Sequence, residues 1–210
     1  NVPKKGVEII VDDYIRCKNK GKMIVIPIGL QPSKNTGHAN MLILNYHRNE
    51  IELFEPHGKR ERKPRQLYKT LQTFTDNFNK VLKKKYKDET EMKFVNPDDI
   101  CPTSKEFRIF QNFEQEAIDT QKYSDKYNMT ISDPGGYCLA WSFFYADLRL
   151  KFPKISNEDL IKKTSEILTN DPIKLRRFIR GQTKQLWKAN KEIMKKSGLT
   201  KEGMISLFKL

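Results

Sequence analysis

Residues 38–58 read His38-Ala39-Asn40-Met41-Leu42-Ile43-Leu44-Asn45-Tyr46-His47-Arg48-Asn49-Glu50-Ile51-Glu52-Leu53-Phe54-Glu55-Pro56-His57-Gly58. The run from Ala39 to Tyr46 is apolar and rich in strand-forming residues, and the run from Ile51 to Glu55 alternates apolar with acidic side chains. Between them His47-Arg48-Asn49-Glu50 is a polar turn. Two strands joined by so short a polar connection form an antiparallel hairpin. Folding back at residues 46–50 brings the start of the first strand and the end of the second together. The 17 residues that separate His38 from Glu55 therefore do not hold them apart.

Upstream, Met23-Ile24-Val25-Ile26-Pro27-Ile28, bounded by Gly21 and Gly29, predicts another strand. Its proline has no N–H to give to a ladder, which favours an edge position. Downstream the apolar period changes from two to 3.6. Leu67, Leu71, Phe74, Phe78, Val81 and Leu82 predict an amphipathic helix over 65–86, with Lys83, Lys84 and Lys85 at its negative dipole end. Met92 to Val95 predicts a short strand, and residues 107–127 a strand running into a helix. Cys138 to Leu150 is apolar nearly all round, as a buried helix is. Asp133-Pro134-Gly135-Gly136-Tyr137 supplies a turn before it, and Pro153 stops it. Two or three helices follow: one begins at the capping-box-like Ser156-Asn157-Glu158-Asp159, one runs from Pro172 to about Lys196, and a short one lies after Gly198. The expectation is an α+β chain of one domain, residues 1–210, with a core over 23–152 and a helical C-terminal extension over 153–210.

A chain of 210 residues with 37% hydrophobic residues can build one sizeable core without disulfides or a structural metal. Cys17, Cys101 and Cys138 stand alone, with no CxxC pair, which points to a reducing compartment, the cytoplasm in the first instance. No apolar run approaches the ~18 residues of a membrane span. The chain opens at Asn1 and not at Met, so an upstream segment removed or left out is expected. Neither GxxxxGK[ST] nor GxGxxG occurs, and no HExxH or paired Cys/His spacing indicates a metal. No cofactor is expected.

Cys138 is the candidate for chemistry. A thiol at a helix N-terminus has unpaired N–H groups and the helix dipole to favour its thiolate, and glycines just before it let backbone amides approach a carbonyl. The competing reading is a buried cysteine acting as a small hydrophobe. A nucleophile needs a base, and the base an orienting group. His38 and Glu55, side by side at the open end of the hairpin, can fill those roles. His57 competes for the place of base, and His47 lies far off in the turn.

Leu53-Phe54-Glu55-Pro56-His57-Gly58, placed 17 residues behind a Gly-His that opens a strand, resembles the adenain and SUMO-deconjugating (Ulp-type) cysteine protease family. Asp133-Pro134-Gly135-Gly136-Tyr137-Cys138 ahead of a Leu-Ala-Trp-Ser helix is similar to SUMO-protease-like enzymes of large DNA viruses. The likeness spans roughly Met23 to Leu150. It implies an Ulp-like fold, a central mixed sheet flanked by helices with the nucleophile heading a buried helix. It also implies His38 as general base, Glu55 as orienting carboxylate and Cys138 as nucleophile, with Gly136, Tyr137 and Trp141 in contact with substrate. The family's Trp after the His is here Ala39, and Ser132 and Ile131 occupy the distances of its oxyanion Gln. Gln111, ahead of Gln115, and Asp133 are the candidates for that place. The implied function is a cysteine peptidase or isopeptidase that cleaves after the Gly-rich tail of ubiquitin or a ubiquitin-like protein. The runners-up are a viral polyprotein maturation protease and an acetyl-CoA-dependent acetyltransferase on the same triad, with host cytoplasm or virion as the setting.

A different class of function is a basic nucleic-acid-binding module, supported by 40 Lys plus Arg against 26 Asp plus Glu, a net +14. That charge is uneven. Residues 129–147 contain no Lys or Arg and 23–47 only Lys34, whereas 59–65, 80–87 and 174–196 are crowded with them. The positive surface thus lies outside the candidate catalytic segments and is expected to take nucleic acid or another polyanion at the C-terminal helices.

Overall fold

The computed structural model describes residues 4–33, 36–56, 65–97, 138–168 and 172–198. In chain order these form helix α1 (Lys4–Lys18), strands β1 (Ile24–Ser33), β2 (Thr36–Asn45) and β3 (Glu50–Phe54), helix α2 (Arg65–Lys85), strand β4 (Lys93–Val95), and helices α3 (Cys138–Lys151), α4 (Asn157–Leu168) and α5 (Pro172–Ser197). The chain is α+β. The strands make one sheet in the order β1-β2-β3-β4, antiparallel except for the parallel pair β3 and β4, which α2 connects.

The hairpin of β2 and β3 runs in register from Asn45 opposite Glu50 to Met41 opposite Phe54. Its turn is held by local chemistry. Asn45 Oδ1 accepts the amide of His47 at 3.1 Å, and Asn49 takes a left-handed φ of 53°, which asparagine tolerates better than most residues. β1 is an edge strand, where Pro27 opposite Met41 leaves few ladder bonds unmade.

Alternation along the strands gives the sheet two buried faces. Leu42, Leu44, Ile51 and Leu53 pack with Val7, Val11 and Tyr14 of α1 and with Leu71, Phe74, Phe78 and Leu82 of α2. Met41, Ile43 and Phe54 point the other way, into a cluster with Trp141 and Tyr145 of α3, Leu160 and Ile161 of α4, and Ile179 of α5. Helix α1 adds a layer the hairpin alone does not foretell. It places Val7, Val11 and Tyr14 at helical spacing on one side and ends in a Schellman arrangement, with Lys22 N donating to Cys17 O at 2.8 Å around Gly21 at φ 65°. The C-terminal helices share the second cluster with α3, so they belong to the same core as the sheet.

Helix α3 departs from the expectation of a helix buried all round. Ala140, Trp141, Tyr145, Ala146 and Arg149 are buried, while Leu139 (49%), Phe143 (39%) and Leu150 (49%) stay accessible. The sheet and α5 cover the first set, and the second lies on the opposite side of the helix. The elements expected over 107–127 and after Gly198 lie outside the described residues.

Candidate functional site

The path of α3 over the sheet positions the candidate nucleophile. Near the C-terminal end of the helix, Arg149 Nε meets Glu52 Oε2 at 3.0 Å, and Glu52 is the register partner of Ile43. One turn earlier the Tyr145 ring stacks on Phe54 at 4.1 Å with 6° between planes, and Phe54 is the partner of Met41. Earlier still, Ser142 Oγ donates to the carbonyl oxygen of Ala39 at 3.1 Å. As residue numbers fall along α3 they fall along β2, so helix and strand run parallel. Seven helical residues cover about 10 Å and four strand residues about 13 Å, which keeps the two in step. One turn before Ser142 stands Cys138, the first residue of α3, and one residue before Ala39 in β2 stands His38.

Glu55 closes the arrangement from the other strand. It follows Phe54 directly and is 3% exposed. Continuing the β2–β3 register by one step sets it against Asn40, two residues from His38. The backbone thus gathers position 38, position 55 and the start of α3 at one end of the sheet. The first turn of α3 supplies N–H groups without intrahelical acceptors there, as any helix start does. His38 is a β2 residue paired with Leu30 across β1.

Of the other expected site residues, Gln111, Asp133, Gly136 and Tyr137 lie outside the described residues, as do His57 and Gln115. Trp141 is described. Three residues along the helix from Cys138, it faces the sheet, is 1% exposed, and packs its ring 6.0 Å from Phe144 and 6.3 Å from Phe178. It is a core residue of the α3–α5 contact. Among the described residues no group of three or more His, Cys, Asp and Glu could hold a metal ion.

The sequence reading missed a buried polar network that fixes α3. Glu52 and Arg149 have side chains with 0% exposure and form an ion pair between β3 and α3. Tyr145 OH donates to Glu52 Oε1, and Arg149 also donates to Asn157 Oδ1, to the Tyr145 hydroxyl oxygen at 3.2 Å and to the carbonyl of Ile155 at 2.6 Å. The loop after α3 is tied back to the hairpin as well, by Asn45 Nδ2 to the carbonyl of Pro153 at 2.8 Å. Burial pushes the Glu52 carboxyl above the usual carboxylate range, against the opposing pull of Arg149 and Tyr145. Burial first, and the Glu52 carboxylate second, holds the Tyr145 hydroxyl well above the ordinary phenol range. The signal for the network was legible only as a glutamate at an inward strand position and an arginine in an apolar helix.

Comparison with known proteins changes the functional frame. No protein-family model matches the chain, and no solved structure does. Among curated proteins it is 27% identical, over 177 residues and 82% of its own length, to a putative ankyrin repeat protein of Acanthamoeba polyphaga mimivirus. The match takes in 21% of that viral protein, so the chain spans about one fifth of its relative's length. This overturns the assignment to the adenain and SUMO-deconjugating family. It likewise overturns the function drawn from that family: cleavage after ubiquitin-like tails, with its polyprotein-protease and acetyltransferase alternatives. The relative is named for ankyrin repeats and not for a protease. Ankyrin arrays repeat a turn and two helices every ~33 residues, whereas the described residues here build a four-stranded mixed sheet. No helix among the described residues is long and apolar enough to cross a membrane.

Proposed function

We propose that the end of the sheet where β2 enters and β3 leaves carries a thiol-dependent centre, with Cys138 as nucleophile, His38 as its base and Glu55 as the carboxylate that orients the base. The observation that supports it is the parallel run of α3 along β2, closed by the bond from Ser142 Oγ to the carbonyl of Ala39 at 3.1 Å. On this reading a cysteine at a helix N-terminus stands near the strand position of a histidine, with a buried acid just past the end of the neighbouring strand. A thiolate there is favoured by the helix dipole and by a base within reach. The proposal concerns this chemistry and names no substrate.

Alkylation of the full chain by iodoacetamide, followed by peptide mapping, tests it. Cys138 is expected to react faster than Cys17, with a rate that rises around a pH below the ordinary thiol value of about 8.5, and His38→Ala and Glu55→Gln are expected to move that rise upward. A Cys138 that reacts no faster than Cys17 from pH 5 to 9, or a profile the two variants leave unmoved, overturns the proposal.

A second reading concerns partners. Helix α5 carries nine basic residues and one acid, Glu192. More than half of the chain's +14 is concentrated there, which supports a polyanionic partner at this helix.

A further inference from the structure

The cations of α5 are ordered as well as numerous. Arg177, Lys184, Lys188, Lys191 and Lys195 are all exposed and follow one another at spacings of seven, four, three and four residues. At 100° per residue those positions fall within about 60° of arc, in a single row along about 27 Å of helix. Phe178, Ile179 and Leu186 lie away from this row, packed into the cluster with α3 and α4, and Ile179 has no exposure. As far as Leu186 the helix is therefore docked by its apolar side, with its cationic row turned outward.

From this row we infer a docking surface for the phosphate backbone of double-stranded nucleic acid, an inference that rests on the polyanion reading above. Three features select that partner over an acidic protein or a single strand. Protein–protein interfaces are depleted of lysine at their centres and need an apolar patch there, whereas four of the five residues in the row are lysines. Single strands are held on exposed aromatic platforms, and none of these five positions is aromatic. Phosphates follow one another at 3.4 Å of axis per strand, so the row spans about eight steps of a duplex and its charges can each meet a phosphate without reading base edges. The interaction is electrostatic and indifferent to sequence.

Fluorescence anisotropy of a labelled 20-base-pair duplex, titrated with the full chain at a series of KCl concentrations, tests the inference. The logarithm of affinity is expected to fall with the logarithm of salt at a slope of about −4, and a duplex of shuffled sequence is expected to bind equally. The triple variant Lys184→Gln/Lys188→Gln/Lys191→Gln is expected to reduce that slope by about 3 and to weaken binding about 100-fold at low salt. A control triple on α2, Lys80→Gln/Lys83→Gln/Lys84→Gln, is expected to leave affinity within about threefold, with circular dichroism confirming that both variants are folded. Equal losses from the two triples would show diffuse charge and overturn the inference. If polyglutamate binds at 50 mM KCl and the duplex does not, the polyanion reading stands and the duplex inference fails. If neither binds, both fail.

Discussion

The two faces of the sheet are closed by different chemistry. Toward α1 and α2 the contact is apolar, with Phe78 and Leu82 fully buried and Tyr14 edge-on to Phe78 at 5.4 Å. Its one buried side-chain tie between elements is the Tyr14 hydroxyl donating to Met92 Sδ at 3.2 Å, and its charged ties sit at the margin, where Lys85 meets Asp12 at 2.8 Å and Lys18 meets Glu89, among the described residues. Toward α3 the contact combines apolar packing with a fully buried Glu52–Arg149 pair, the Tyr145 hydroxyl and Asn157. An apolar face gains stability from area alone and tolerates small shifts of its helices. A face with a directional network does not, because each displaced donor or acceptor is left buried and unpaired. The face that fixes its helix in this way is the one whose helix begins at Cys138.

Deleting a buried residue on each side puts that difference to measurement by urea unfolding. Phe78→Ala should cost about 4 kcal/mol through lost burial and the cavity it leaves. Arg149→Met should cost about 3 kcal/mol despite conserving apolar volume, because Glu52, Tyr145, Asn157 and the carbonyl of Ile155 lose their common donor. The two differ in what happens at the site: alkylation of Cys138 should change in Arg149→Met and stay unchanged in Phe78→Ala. Equal effects on Cys138 would abolish the distinction between the faces.

Glu52 sharpens the comparison through pH. Its folded pKa lies above its ordinary value of about 4.3 because burial outweighs the attraction of Arg149. A carboxyl raised in the fold contributes stability that is fully present below the unfolded pKa and is lost as pH climbs through the folded one. The wild-type chain should therefore match Glu52→Gln at pH 4 and fall behind it as pH rises, in paired thermal melts. A wild type that gains on the variant with rising pH would show that the ion pair prevails over burial.

The smallest expected change belongs to Ser142. Losing its hydroxyl in Ser142→Ala should cost about 1 kcal/mol. The same variant should slow Cys138 alkylation severalfold, since the bond to Ala39 ties the first turns of α3 to the start of β2. Unchanged alkylation would separate the thiol's reactivity from this bond.

Much of the local structure was legible because short-range rules decided it. The alternation of Ile51 to Glu55 and the polar turn before it specify the hairpin, and the spacing of Leu67 to Leu82 specifies α2 with its lysines at the favourable end. Ser156 caps α4 as its position suggests, its Oγ accepting the amide of Asp159 at 3.0 Å. The inward setting of Trp141 was not legible, because an aromatic three residues from a candidate nucleophile fits a surface as well as a core, and only the path of α3 over the sheet turns it inward. The Glu52–Arg149 pair escaped because its partners are 97 residues apart and each alone reads as an ordinary charged side chain.

By itself, then, the sequence determined the hairpin, the amphipathic helices, the concentration of positive charge near the C-terminus, and the residue types that bring His38, Glu55 and Cys138 into consideration. These follow from periodicity, turn chemistry and composition, all of which act within a few residues. The tertiary structure alone decided that α3 runs parallel to β2 with Ser142 bonded to Ala39, that Trp141 turns inward, and that the row on α5 faces outward. Those outcomes depend on which faces meet and which buried charges find partners across the chain, and no local pattern encodes them.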